Sequence, residues 1–250
     1  KKACAFAAEN PNAVLGANTR VQLNQLNEIA RQEILKKLML DGVDIPCSDG
    51  IIIGPDVEID RDTEILPNTI IRGNVKIGSD CVIGPNSFVE NAVIGSGVTF
   101  NNSQIRDAEI KDGATIGPFV QIRPNSSIGE GAHLGNFVEV KNSTVGSNTH
   151  VSHLTYVGDS DVGSGVNFGC GVVTVNFNGK DKNRCTIKDG AFIGCNTNLV
   201  APVTVGEYAY TAAGSTITDD VPDKSLGIGR AKQVNKDGWV AKKQPYRKKV

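Results

Sequence analysis

A six-residue period of aliphatic side chains runs through most of the chain. Steps of six from Ile53 meet only Ile or Val, at Ile59, Ile65, Ile71, Ile77, Ile83 and Val89. The period shifts by one or more residues and returns in four later runs, which are Ile110 to Val140, Val145 to Val157, Val162 to Thr174 and Ile187 to Ile217. Glycine often follows the aliphatic residue, and a smaller or β-branched residue such as Thr63 or Cys81 lies four positions after it. This period matches neither a helix nor a strand that alternates every two residues.

A period of six predicts the hexapeptide repeat of a parallel β-helix. Each hexad supplies one short strand and one turn, and three hexads form one coil of a triangular prism. The aliphatic side chain points into the prism, while Gly and Asn suit turns that need positive φ. At about 18 residues per coil, residues 53–217 form roughly nine coils. We therefore predict an all-β fold whose core is a continuous aliphatic column. The period does not determine the handedness of the coil.

A different pattern precedes the repeats. Residues 19–40 predict an amphipathic helix that ends at Asp41-Gly42. Its predicted apolar face contains Leu23, Leu26, Ala30, Ile34 and Leu38, and its polar face contains Arg31, Glu33 and Lys36. After Pro222 the sequence is mixed, and it ends in a basic run of Lys242, Lys243, Arg247, Lys248 and Lys249. This run is typical of a solvated tail, with contact to a ligand phosphate as the alternative.

Composition narrows the class of protein. The formal net charge of −1 over 250 residues provides no field for binding nucleic acid. There is no apolar run long enough to cross a membrane, and the apolar stretch near the start is too short for a signal peptide. The six cysteines contain no CxxC spacing. They predict reduced thiols in a cytoplasmic protein, with a zinc knuckle or a disulfide framework as the alternative.

An insertion interrupts the period between Thr174 and Ile187. About twelve residues, 175–186, form a predicted loop with three cations, Lys180, Lys182 and Arg184. Solenoids place insertions on the surface, often on the binding face, although a plain surface loop remains the alternative.

Several polar residues are expected near this loop. Arg123 and Lys141 are 18 positions apart and therefore neighbours on successive coils. His153 and Tyr156 fall about one coil further along. Cations, one histidine and a projecting loop predict a site for a phosphorylated ligand with a general base.

The motifs in this region resemble one family. They are Gly117-Pro118-Phe119, Arg123-Pro124, Gly135-Asn136-Phe137-Val138-Glu139-Val140-Lys141, His153-Leu154-Thr155-Tyr156, Ala201-Pro202-Val203-Thr204-Val205-Gly206, Ala212-Ala213-Gly214-Ser215-Thr216 and Arg230. Together they closely resemble the bifunctional N-acetylglucosamine-1-phosphate uridyltransferase/glucosamine-1-phosphate N-acetyltransferase family, over roughly residues 14 to 240. The resemblance implies left-handed coiling and corresponds to the C-terminal acetyltransferase half.

The resemblance also implies a division of the chain. The predicted segments are a remnant of the uridyltransferase domain at 1–18, a linking helix and connector at 19–50, the left-handed β-helix at 51–221 and a C-terminal extension at 222–250. Asn18 matches a family residue that helps to hold Mg²⁺ in the uridyltransferase site. The phosphate loop of that site has no match here, so we expect no uridyltransferase activity and no metal site.

The implied reaction transfers an acetyl group from acetyl-CoA to the amine of glucosamine-1-phosphate. The product serves the synthesis of UDP-N-acetylglucosamine and cell-wall precursors. His153 matches the family's general base. The residues that match acceptor contacts are Arg123, Lys141, Tyr156, Asn167 and Lys182. The residues that match the acetyl-CoA site are Cys170, Asn176, Phe177, Cys195, Ala213 and Arg230.

Three of these positions depart from the family pattern. Phe177 stands where Tyr is frequent, Cys195 where Ser is common and Cys170 where Ala is common. Cys195 suggests a covalent acetyl-enzyme as an alternative, although direct attack by the amine needs no such step.

The resemblance further implies a homotrimer whose active site is shared between subunits. We expect the loop with Lys180, Lys182 and Arg184 to project away from its own coils, and a strand over residues 230–239 to cross to an adjacent prism. The partners are then two small molecules, without nucleic acid or membrane.

Three other functions stay open at this point. The first is another hexapeptide acyltransferase acting on a different amino sugar or a hydroxyl. The second is a zinc lyase of the γ-carbonic-anhydrase type, for which the three histidines His133, His150 and His153 are the available ligands. His133 and His150 are expected to stack one coil apart. The third is a scaffold that only trimerises.

Overall fold

The architecture is a parallel β solenoid preceded by one long helix. The structure, a computed structural model, describes residues 3–4, 6–7, 9 and 11–243. A short 3₁₀ turn at Pro11–Val14 precedes helix α1 (Arg20–Leu40), and a second helix, α2 (Trp239–Lys243), closes the described chain.

The strands between the helices are short. They are β1 (Ile52–Ile53), β2 (Val57–Ile59), β3 (Glu64–Ile65), β4 (Ile70–Arg72), β5 (Val75–Ile77), β6 (Val82–Ile83), β7 (Phe88–Ile94), β8 (Thr99–Phe100), β9 (Gln104–Ile110), β10 (Thr115–Ile116), β11 (Gln121–Ile122), β12 (Ser127–Ile128), β13 (His133–Asn136), β14 (Glu139–Lys141), β15 (Thr144–Val145), β16 (His150–His153), β17 (Tyr156–Gly158), β18 (Ser160–Val162), β19 (Asn167–Phe168), β20 (Val173–Val175), β21 (Cys185–Ile187), β22 (Phe192–Ile193), β23 (Asn198–Val200), β24 (Val203–Val205), β25 (Tyr210–Thr211), β26 (Thr216–Ile217) and β27 (Leu226–Gly227).

These strands stack into three flat faces. Face 1 is a ladder of ten strands, β3, β6, β8, β10, β13, β16, β19, β22, β25 and β27. Face 2 contains β11, β14, β17, β20 and β23, and face 3 contains β12, β15, β18, β21 and β24, while β7 and β9 bend across both. All the strand pairs are parallel, with registers such as His133↔His150 and Glu139↔Tyr156. The ten strands of face 1 indicate about ten turns, one more than the sequence predicted, because pairing continues past Ile217 to β27.

The six-residue period marks the interior of the prism, as predicted. Its positions from Ile53 to Ile217 are all buried, including the two threonines Thr174 and Thr211. Smaller interior residues such as Thr63 and Cys81 are buried beside them. Each coil thereby covers the apolar surface of its neighbour, which is the main source of stability in a solenoid.

Helix α1 caps one end of this core. Thr19 accepts a hydrogen bond from the Gln22 backbone, and the Gln22 side chain accepts one from the Thr19 backbone N–H, which forms a capping box. The helix therefore begins and ends close to the predicted bounds. Its apolar face was only partly predicted, since Leu35 and Leu38 are the buried residues and Leu23 is half exposed.

The polar face of α1 also differs from the prediction. Arg31 turns towards the solenoid, where its Nε donates to the Ile51 carbonyl at 2.7 Å. The guanidinium covers backbone acceptors that the end of the prism leaves open. A polar side chain with a long aliphatic stem can thus belong to the packed side of a helix.

Two further expectations were wrong. The register Ser160↔Cys185 spans 25 residues where Cys185↔Val203 spans 18, so the insertion lengthens its coil by seven residues rather than twelve. The expected strand over residues 230–239 is absent from the described chain, where α2 begins at Trp239. Lys242 and Lys243 are exposed, whereas Arg247, Lys248 and Lys249 lie outside the described residues. Within the described part of the chain, the helices are too short or too polar to cross a membrane.

Candidate active site

One corner of the prism collects several residues predicted for the site. At the corner between faces 1 and 2, successive coils present Asn136, His153, Cys170, Cys195 and Ala213, which we call the turn column. The carbonyls of Asn136, His153, Cys170 and Cys195 each accept a hydrogen bond from the backbone N–H of the residue that follows the next member of the column. The distances are 2.9, 3.3, 2.8 and 2.8 Å respectively. The column therefore runs from the predicted general base through three of the predicted acetyl-CoA positions.

Arg230 extends this line by one more coil. A Cβ built on Gly214, which follows Ala213, would lie 4.0 Å from the Arg230 Cδ. The pairing of Thr216 N–H with the Gly229 carbonyl at 2.9 Å fixes this neighbourhood. Four of the six predicted acetyl-CoA residues thus lie on one continuous strip.

The side chain of His153 is exposed at the end of β16. Its backbone carbonyl is occupied by the Thr155 hydroxyl at 2.7 Å, but its imidazole has no hydrogen bond to any described residue. The exposed imidazole of His153 is therefore available to a ligand.

An apolar ridge, consisting of Phe119, Phe137 and Leu154, lies beside His153. All three adopt positive φ, at 62°, 59° and 48°, which is unusual for bulky residues. Their exposed fractions are 56–59%, and the rings of Phe119 and Phe137 stack with centroids 5.2 Å apart. Strained and exposed apolar side chains next to a candidate base are typical of a functional surface.

A cationic groove lies at the opposite edge of face 2. It has a volume of about 570 Å³ and is lined by Arg123, Pro124, Asn125, Lys141, Asn142, Asp159, Lys182 and Arg184. Arg123 and Lys141 reach it from successive coils, as predicted from their spacing. Four cations against one lining carboxylate make this concave surface suitable for an anion.

Asp159 organises the floor of the groove. Its carboxylate accepts hydrogen bonds from Lys141 at 3.1 and 3.2 Å and from Asn142 at 2.5 Å, and it also accepts one from Asn176. Burial alone would raise the pKa of Asp159, but the bonds from Asn142, Lys141 and Asn176 outweigh it and the pKa is lowered. The carboxylate therefore stays charged and holds Lys141 in place.

The other cations of the groove have different partners. Arg123 donates to Glu139 at 2.8 Å, and Arg184 binds Asp161 through two nitrogens at 2.5 and 3.0 Å. Lys182 forms no ion pair with any residue that the structure describes. Contact with Lys141 lowers the pKa of Lys182, because two ammonium groups meet there. An incoming anion would relieve this repulsion.

The inserted loop does not project away from its own coils, contrary to the prediction. Phe177 pairs with Lys182 in an antiparallel bridge, and Arg184 also donates to the Asn142 carbonyl at 3.0 Å. Lys182 and Arg184 therefore line the groove of their own chain, without a neighbouring subunit.

Tyr156 connects the two edges of face 2. Tyr156 begins β17, three residues after His153 of the turn column. Its hydroxyl accepts a hydrogen bond from Asn176 at 3.3 Å beside the groove. Gly158 makes room for the ring, since a Cβ there would lie 2.3 Å from the phenolic oxygen. Asn176 thus lies with the predicted acceptor residues rather than in the turn column.

Two of the predicted residues belong neither to the turn column nor to the lining of the groove. Asn167 pairs with His150 on face 1, three residues before Cys170. Phe177 is exposed on the inserted loop. Their predicted roles stay predictions.

The three histidines do not converge on one point. His133 and His150 lie one coil apart as predicted, but their rings are tilted by 44° with centroids 5.8 Å apart, and His133 also bonds Thr115 at 2.7 Å. Burial and the nearby His150 and His153 lower the pKa of His133. Among the described residues, three or more His, Cys, Asp or Glu side chains nowhere gather as a metal site would require.

Sequence reasoning missed Asp159, Asn142 and Glu139. Asn142 follows Lys141 in the chain, while Glu139 and Asp159 are about one coil from Tyr156 and Lys141, so a search for opposite charge at the coil spacing would have found Asp159. Asn142 and Asp159 adopt positive φ at 48° and resemble ordinary turn residues in sequence.

The repeats of this chain match those of known proteins. The family model "Bacterial transferase hexapeptide (six repeats)" matches residues 50–91, 107–142 and 184–219. A Geobacillus protein named "Bifunctional protein GlmU" is 51% identical over 94% of this chain and 51% of its own length. The Clostridioides difficile protein of the same name is 47% identical over 97% of this chain and 53% of its own length.

The chain spans about half the length of the curated relatives it matches. Among solved structures, the Francisella novicida UDP-N-acetylglucosamine acyltransferase is 21% identical over 72% of this chain and 65% of its own, with a TM-score of 0.42.

Proposed function

From homology to the bifunctional proteins named GlmU over nearly the whole chain, we propose that this protein transfers an acetyl group from acetyl-CoA to the amine of glucosamine-1-phosphate. The product, N-acetylglucosamine-1-phosphate, serves the synthesis of UDP-N-acetylglucosamine and cell-wall precursors. The observation that carries the proposal is the pairing of an accessible histidine with a cationic groove across one face of the prism.

His153 is the general base. It takes a proton from the acceptor amine, which then attacks the thioester carbonyl and releases CoA. An imidazole suits this transfer because it exchanges a proton near neutral pH. The exposed ring at the end of β16 supports this role, because no described side chain competes for its nitrogens.

The turn column is the path of acetyl-CoA. Cys170, Cys195 and Ala213 provide a strip of small side chains, along which a narrow chain can lie. Arg230 follows at the end of this strip, where a guanidinium suits the phosphates of CoA. The thioester would then lie at the His153 end.

The cationic groove is the site of the sugar phosphate. Lys182 has no carboxylate partner among the described residues, and Arg123 and Lys141 are held beside it. On the coil that carries His153, five residues separate it from Asp159 in the groove, and three of them form β17 on face 2. The acceptor would lie on face 2, with its phosphate held by the long side chains of the groove cations and its amine turned towards His153.

Release of free CoA tests the proposal. The protein is incubated with acetyl-CoA and either glucosamine-1-phosphate or unphosphorylated glucosamine, and the thiol produced is followed with a chromogenic disulfide. We expect release with the phosphorylated sugar and little release with glucosamine. Equal rates with both sugars would contradict the phosphate site, and release with neither would contradict the reaction.

The same proposal includes a cytoplasmic homotrimer. The exposed ridge of Phe119, Phe137 and Leu154 supports association, because apolar surface beside a site favours a covered interface. A compartment with reduced thiols is compatible with six free cysteines. Sedimentation equilibrium should give three times the chain mass, and Leu154→Glu should shift it towards monomer. A wild-type monomer with full activity would contradict the trimer.

A further inference from the structure

Two cysteines occupy adjacent positions in the turn column. Cys170 and Cys195 each begin a turn whose second residue has positive φ, Gly171 at 76° and Asn196 at 53°. The Asn196 N–H donates to the Cys170 carbonyl at 2.8 Å, which fixes the two turns in register. Register neighbours on parallel coils lie about 4.8 Å apart. That spacing falls within the Cα separation that a disulfide spans, about 4.4–6.8 Å.

The Cys195 thiol is directed towards the coil that carries Cys170. A Cβ built on Gly169 would lie 2.9 Å from the Cys195 Sγ and 2.5 Å from the Cys195 backbone nitrogen. Because residue 169 has no side chain, the thiol can lie against the backbone that leads into Cys170. Cys195 is exposed and Cys170 is half-buried, and both are free.

The interior cysteines provide a contrast. Cys81 and Cys185 are buried, and burial raises the pKa of both thiols, to about 11 for Cys185. Thiols of this kind form little thiolate and react slowly with oxidants. Reactivity is therefore expected at the surface cysteines, where Cys170 and Cys195 are the two in register.

We propose that Cys170 and Cys195 form a reversible disulfide under peroxide and that this bond closes the acetyl-CoA strip. The more exposed Cys195 thiolate attacks one peroxide oxygen, giving a sulfenic acid and hydroxide. The Cys170 thiolate then attacks that sulfur and displaces its oxygen as hydroxide. In net terms, two thiols and one hydrogen peroxide give one disulfide and two water molecules.

The effect on acetyl-CoA rests on the proposed function. Cys170 and Cys195 lie between His153 and Ala213 in the turn column, where the pantetheine part of the donor would run. Closing the S–S bond draws the two thiols together and fixes sulfur atoms across the strip. Acetyl-CoA should therefore bind more weakly, while the cationic groove at the other edge of face 2 is unaffected.

Peroxide treatment followed by mass spectrometry tests the bond itself. The folded protein is exposed to hydrogen peroxide, its remaining thiols are alkylated, and the digest is searched for a peptide joining residues 170 and 195. We expect the intact mass to fall by two hydrogen atoms and to return after dithiothreitol. Cys170→Ser and Cys195→Ser should each abolish the change, whereas the Cys4→Ser/Cys47→Ser control, which removes two other exposed thiols, should retain it.

Calorimetric titration of acetyl-CoA into the reduced and oxidised protein tests the closure. We expect binding to weaken at least tenfold on oxidation, about 1.4 kcal/mol, and to recover after reduction. For each cysteine variant, the acetyl-CoA affinity after peroxide is compared with the affinity of the same variant when reduced. Any direct effect of the substitution on acetyl-CoA binding is then the same on both sides of the comparison.

Two results would overturn the inference. One is that Cys170 and Cys195 stay reduced or oxidise separately, without the joined peptide. The other is that the joined peptide forms but acetyl-CoA binds equally well. If instead the reduced protein releases no CoA with glucosamine-1-phosphate, the proposed function fails, and the joined peptide still decides whether the disulfide exists.

Discussion

The Lys141 ammonium lies 3.1 Å from the Asp159 Oδ2, and the two side chains are only 17% and 5% exposed. This pair is the least solvated ion pair among those that the structure describes. Because the Asn142 and Asn176 amides complete the hydrogen bonding of the carboxylate, removing it would leave a lysine without a partner in a poorly solvated corner.

We therefore expect Asp159→Asn to lower the free energy of unfolding at pH 7 by about 1–3 kcal/mol. The pKa of Asp159 is lowered by folding, so the unfolded chain binds more protons in acid. Stability from this group is present above the unfolded pKa of about 3.9 and is lost as the pH falls through the folded pKa.

Urea unfolding between about pH 7 and pH 2 checks both statements. The wild type should lose stability more steeply than Asp159→Asn at the acid end, because the variant has no titrating group at this position. Asp60→Asn, at an exposed carboxylate, should change the free energy of unfolding by less than about 0.5 kcal/mol. Parallel curves for wild type and Asp159→Asn would show that Asp159 does not contribute.

His153→Ala should lower kcat by about 10²–10⁴-fold, since a general base contributes that much. Calorimetric binding of acetyl-CoA should remain near wild type, because the ring lies at the end of the strip. His150→Ala is the matched control, because His150 is an exposed histidine at the other end of the same strand β16. If both variants lose activity to the same extent, or if His153→Ala keeps more than about a third of turnover, His153 is not the base.

The buried residues of this fold could be predicted position by position from the sequence. Most members of the turn column could be predicted as well. A prism has room for one large aliphatic per hexad, so the period identifies the buried residues, and steps of one coil from His153 reach Cys170. The side-chain partners were less predictable. Asp107, Asn125, Asn142 and Asp159 all have positive φ, and only the folded chain shows that Asp159 is the buried carboxylate among them.

The direction of the inserted loop was not predictable for a related reason. A lengthened coil indicates that a loop exists, but its path depends on contacts with residues far apart in sequence. Here Arg184 binds Asp161 and the Asn142 carbonyl, 23 and 42 positions away, and turns the loop back over its own groove. No periodic pattern encodes such contacts.

Lys182→Ala should raise the KM for glucosamine-1-phosphate by about 10- to 150-fold, as expected for one charge-assisted contact of about 1.5–3 kcal/mol. The KM for acetyl-CoA should change little, because Lys182 lines the groove and not the turn column. Added salt should weaken acceptor binding in the wild type more than in the variant. Lys180→Ala, a cation of the same loop that does not line the groove, serves as the control. Equal effects of the two substitutions would mean that the loop acts only through its total charge.

Gly158→Ala tests whether the position of the Tyr156 ring matters for the acceptor. The added Cβ would lie 2.3–2.6 Å from the phenolic oxygen and two ring carbons of Tyr156, so the ring must move and its hydroxyl must leave Asn176. Because a side-chain tip can move at low cost, we expect the free energy of unfolding to fall by less than about 1 kcal/mol. The KM for the acceptor should rise about 2- to 10-fold, similar to Tyr156→Phe, which deletes one hydrogen-bonding group.

Gly54→Ala provides the matched substitution, since a Cβ there meets its nearest neighbour at an ordinary 3.5 Å and the site lies far along the prism from the groove. It should leave both KM values unchanged. If Gly158→Ala leaves the acceptor KM unchanged while Tyr156→Phe raises it, the hydroxyl reaches the acceptor from more than one ring position. If neither variant changes it, Tyr156 supports the groove only through packing, and the acceptor does not lie across face 2.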